Sequence, residues 1–140
     1  MKKILFLALL ILTNHAFSFS PNDDPSLEII DKVKPFTVYL DTKFSKLSTD
    51  KSGIVQAALL VEHNYTEETN NEAIWLEREV YFINCRSGTW WLLVRQVTTL
   101  DNKKNKYSPT SDYEKIIPNS YQEKIAKLVC RRLGEAYHHQ

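Results

Sequence analysis

Three observations predict an α+β fold, an antiparallel β-sheet packed against a C-terminal α-helix with a disulfide from strand to helix. Two long segments of period-two character, 74–85 and 90–100, flank a four-residue turn, which is the pattern of a hairpin. The C-terminal segment then changes to a period near 3.6. The two cysteines, Cys85 and Cys130, fall at the end of a predicted strand and on the predicted helix. An amphipathic helix with only a sheet to cover must lie on it, giving a two-layer domain.

The chain begins Met1-Lys2-Lys3, followed by nine apolar residues from Ile4 to Leu12 and by the small residues Ala16 and Ser18, one apart. Residues 1–18 therefore read as a secretory signal peptide; the apolar run is too short to span a bilayer. No cysteine stands near the cleavage point, so the expected product is periplasmic or secreted, with no lipid anchor and no membrane span. Removing the leader, with its two lysines and no acids, takes the formal charge from +1 to −1. A near-neutral domain carries no electrostatic footprint for nucleic acid. Residues 19–35, polar and broken by Pro21 and Pro25, read as a flexible segment before a domain at 36–140.

Phe36-Thr37-Val38-Tyr39-Leu40 is a β-branched and aromatic run, the first strand. A polar connection follows to Gly53; 54–61 reads as a buried strand and 64–72 as a solvated turn. In 74–85, Trp75, Glu77, Glu79, Tyr81, Ile83 and Cys85 share one face by alternation. Arg86-Ser87-Gly88-Thr89 is the hairpin loop, with glycine where a positive φ is wanted. Residues 90–100 form the return strand, and 101–112 a polar loop holding Lys103, Lys104 and Lys106. Ser120 and Glu123 make a capping box that opens a helix over 120–137. Ile125, Leu128, Val129, Leu133 and Ala136 form its apolar stripe, with Cys130 at the stripe's edge. In an oxidising compartment the two cysteines are expected to be bonded. A closed loop of 45 residues is worth about 4 kcal/mol in the chain-entropy model.

Tyr81-Phe82-Ile83-Asn84-Cys85, the aromatic and arginine strand through Arg95, the lysine-rich loop, Pro109-Thr110, Leu128-Val129-Cys130 and Gly134-Glu135-Ala136-Tyr137 together resemble the surface-adhesin protein E family. The match runs over about 36–137. The resemblance implies an antiparallel sheet carrying a C-terminal helix. It also implies an exported, non-enzymatic protein of Gram-negative bacteria whose partner is a host matrix protein such as vitronectin or laminin. The family's ligand contacts are attributed to basic residues around the central hairpin. The positions that fit are Arg78, Arg86 and Arg95, with Lys103, Lys104 and Lys106 nearby.

Other constellations read as structural. Glu77 and Glu79, about 7 Å apart along a strand, have the spacing of paired glycosidic carboxylates but no cleft signature, and read as charged residues protecting a sheet edge. Trp90 and Trp91 point to opposite faces. His63 stands alone at a strand end and His138-His139 sit in the last residues, which leaves no metal-ligand set. With no phosphate loop and no triad, neither an enzyme nor a cofactor is expected. The second functional reading is a periplasmic inhibitor or immunity protein, blocking a lysozyme-like enzyme or toxin by inserting a protruding loop such as 86–89.

Overall fold

The computed structural model describes residues 20–64, 73–107 and 112–138. The segment 1–18 read as a leader, most of the 64–72 turn and Pro109-Thr110 lie outside these residues. After a single 3-10 turn at Pro21–Asp23, β1 (Leu27–Val33) and β2 (Phe36–Asp41) form a hairpin whose turn contains the cis Lys34–Pro35 bond. The short β3 (Lys46–Leu47) leads to β4 (Ile54–His63). The long β5 (Ile74–Asn84) and β6 (Thr89–Thr99) are joined through the expected tight turn, where Gly88 has φ 64°. β7 (Lys104–Tyr107), β8 (Glu114–Lys115) and the helix α1 (Tyr121–Arg132) complete the chain. The antiparallel sheet runs β1-β2-β4-β5-β6-β7, with β3 also on β4 and β8 also on β6.

The core lies between one face of this sheet and α1. Ile125, Ala126, Val129 and Cys130 pack on Val38, Leu40, Val55, Ala57, Leu59, Tyr81 and Ile83. The disulfide Cys85–Cys130 is present, with a Cα–Cα distance of 6.0 Å and both residues fully buried. The capping box forms in a shifted version. Ser120 Oγ accepts from the Glu123 N–H at 3.2 Å, and the Glu123 carboxylate accepts from the Asn119 N–H at 2.5 Å. On the opposite face a smaller cluster of Tyr39, Leu60 and Leu76 is packed by Leu27 and Trp75.

Three sequence expectations change. Residues 20–35, read as flexible, include the paired strand β1, because Leu27, Ile30 and Val33 give it apolar positions and the prolines fall outside its ladder. A bulge between Ile29 and Asp31 turns Ile30 toward the core, and the acids of β1 meet the helix: Asp31 with Lys124 at 3.1 Å, Glu28 with Arg132 at 2.8 Å. Part of the lysine loop is the edge strand β7, whose pairing with β6 no local propensity announces. The helix ends at Arg132 instead of running to 137, so Ala136 lies beyond it, and it is turned relative to its predicted stripe: Leu128 is half-buried beside β1 and Cys130 is central instead of marginal.

Candidate functional site

A second bulge decides the chemistry of the helix-covered face. Val80 pairs with Val94 but Tyr81 pairs with Leu92, so β6 gains one residue and changes parity. Arg95 thereby joins Glu77, Glu79 and Tyr81 on the side of the helix. From β4, His63 arrives on the same face, two residues beyond Val61, the partner of Glu77. Glu77 accepts from His63 Nε2 at 2.9 Å and from Arg95 Nη2. Glu79 accepts from the Tyr81 hydroxyl at 3.0 Å and forms an ion pair with Arg95 Nε at 3.4 Å, too long and misaligned for a hydrogen bond.

These contacts push the two carboxyls apart. The hydrogen bond from His63, and then that from Arg95, holds Glu77 below the ordinary carboxylate range against the opposing effect of burial. Burial raises Glu79. Burial and the neighbouring Glu79 carboxylate raise the Tyr81 phenol strongly. The edge-protecting reading of this pair fails, because β5 lies between β4 and β6 and neither carboxylate faces a sheet edge. Opposite shifts in adjacent carboxyls are the arrangement of an acid–base pair. Here one guanidinium bridges both groups and Tyr81 occupies an oxygen of Glu79.

Above this network opens a cleft of about 250 Å³, lined by Phe36, Val61, Glu77, Glu79, Tyr81, Trp90 and, from the first turn of the helix, Tyr121 and Gln122. Trp90 stacks flat on Tyr81, with ring centroids 4.7 Å apart. Trp91 points the other way, as alternation requires, and packs with Phe82 and Tyr113 at 5.7 and 5.9 Å. His63, Phe36 and Tyr121 were invisible as site residues in the sequence. The one available signal was parity, since His63 and Glu77 share a face once the 54–63 and 74–84 strands are paired as a hairpin.

The six basic candidates do not form one cluster. Arg95 belongs to the Glu77–Glu79 network on the helix side. Arg86 folds back from the hairpin turn: Nη1 donates to the Lys51 carbonyl at 2.6 Å, and Nε pairs with Glu135 at 3.3 Å. Its side chain lies so close over Gly53 that a Cβ there would sit 2.7 Å from Arg86 Cγ, and Gly53 has φ +77°. Lys103 pairs with Asp101 at 3.3 Å in the turn after β6. Arg78, Lys104 and Lys106 lie together on the face opposite the helix, because Arg78 is opposite Gln96 and Gln96 opposite Lys106. Arg78, Gln96 and Lys106 border a depression of about 350 Å³ also lined by Ala58, Leu60 and Val94.

The architecture is thus a single open antiparallel sheet stapled through a central strand to one C-terminal helix. The crystal structure, in crystal form II, of Haemophilus influenzae protein E has this fold: the TM-score is 0.56 over 86% of this chain and 100% of that one, at 14% identity. No protein-family model and no curated protein matches the chain. The fold expected from the sequence resemblance is therefore the fold observed. Among the described residues no helix is long and apolar enough to cross a membrane, and no group of three or more His, Cys, Asp or Glu is placed to hold a metal.

Proposed function

We propose that this chain is an exported, non-enzymatic protein-binding domain of the surface-adhesin protein E type, and that it binds through the sheet face opposite the helix. The observation that carries the reading is the composition of that face. Arg78 and Lys106 border apolar surface formed by Ala58, Leu60, Val80 and Val94, and farther along the same face the paired Phe82 and Trp91 continue it, with Tyr113 packed on Trp91 and exposed. Exposed aromatics rimmed by cations are a common composition for protein interfaces. Export and the matrix-protein partner class rest on the leader and on the family resemblance. The fold supports the same reading. A plugging hairpin tip, as an inhibitor would need, is disfavoured because Arg86 is tied back to Lys51 and Glu135.

The test is binding of the disulfide-bonded protein to immobilised vitronectin and laminin. Arg78→Glu combined with Lys106→Glu should weaken binding at least about tenfold, because charge reversal at a rim opposes encounter. Both side chains are exposed, and the melting temperature of the double variant, measured alongside, separates lost binding from lost folding. Binding that survives both reversals, or turnover of a substrate, contradicts the reading.

A further inference from the structure

The cleft beneath the helix is a different feature from the opposite face, and its chemistry is specific. Four aromatic residues line it: Phe36 from β2, Tyr81 from β5, Trp90 from β6 and Tyr121 from α1. Two carboxylates, Glu77 and Glu79, also reach it, and they have one guanidinium between them. Arg95 meets both from the side and is not among the lining residues. A third carboxylate, Asp31, lies beside the Tyr121 hydroxyl and is paired with Lys124. The volume, about 250 Å³, is below the roughly 300–1,000 Å³ of drug-sized pockets.

We propose that this cleft binds a small organic cation, an ammonium or quaternary ammonium group on a short apolar stem. Aromatic faces attract such cations through the ring quadrupole, most strongly where water is displaced. A buried carboxylate that shares its guanidinium with a neighbour gains most from a second positive charge. The apolar walls, Val38, Leu59, Val61 and Ile125, suit methyl or methylene groups and leave few oxygen ligands for an inorganic ion. An anion is disfavoured because the lining holds two carboxylates and no cation.

The test is NMR titration of the disulfide-bonded protein with choline at about pH 8, above the ordinary histidine range. The neutral isostere 3,3-dimethylbutan-1-ol serves as control. Choline should shift the amide signals of Glu79 and Tyr121 and saturate below about 10 mM. The alcohol should bind at least about tenfold more weakly, since it lacks the charge the rings and carboxylates recognise. Glu79→Gln should remove most of the affinity, and Tyr121→Leu, at a position 44% exposed, should lower it about threefold or more. Equal binding of the alcohol shows an apolar cleft only and overturns the proposal. So does choline that fails to saturate, or a Glu79→Gln protein that binds as the wild type does. If Glu79→Gln does not fold, the Tyr121→Leu variant and the neutral isostere decide. Failure here leaves the protein-binding reading of the opposite face untouched.

Discussion

Glu77 is where local chemistry is most constrained. Its carboxylate is buried, accepts from His63 and Arg95, and is held ionised by both. Replacing it with glutamine leaves Arg95 one carboxylate short, and should cost about 2–3 kcal/mol at pH 7 by urea unfolding. The cost depends on pH with a definite sign. A folded-state value below the unfolded one gives stability that is complete above the ordinary glutamate range, about 4.3, and is lost as pH falls through the lowered value. The wild type and Glu77→Gln should therefore converge in acid, and a gap that widens there contradicts the assignment. Glu79 acts in the opposite sense, since its raised value favours the folded protein as pH falls. The shared face of these glutamates was legible from alternation. Their partners were not, because Arg95 reaches that face only through the bulge in β6, and His63 only through strand pairing.

Among the elements, the helix was the easiest to read and its rotation the hardest. Capping and periodicity located its start at Ser120, and tertiary contacts then selected which stripe faces inward. Ile125 is in the core and Leu128 is half-buried against β1. Ile125→Ala should accordingly cost about 2–5 kcal/mol and Leu128→Ala less than half of the Ile125 value. The reverse order in denaturant midpoints would show the helix turned about its axis. Strands β2, β4, β5 and β6 followed from alternation and β-branched runs, whereas β1 and β7 did not. Both are edge strands with charged side chains, a composition shared with solvated loops; only their pairing with β2 and β6 distinguishes them.

For the whole molecule, the disulfide joins the two layers. Cys85 ends a central strand and Cys130 lies on the buried side of the helix, so the bridge constrains the sheet and helix together. Replacing both cysteines by alanine should cost on the order of 4 kcal/mol, because a loop of 45 residues is released in the unfolded chain. With both sulfurs buried, reduction of the native protein should be slow until it unfolds; rapid reduction without unfolding would show the layers separating. On the opposite face, affinity for a partner steered by Arg78, Lys104 and Lys106 should fall on going from about 0.05 to 0.15 M salt, where screening shortens to about 8 Å. The measurement that reaches the central claim most directly is an NMR footprint of the bound matrix protein on this chain. Broadening or shifts at Arg78, Trp91 and Lys106, with the amides of Ile125 and Val129 unchanged, is the predicted result. A footprint centred on the helix or on β1, with the opposite face silent, would contradict it.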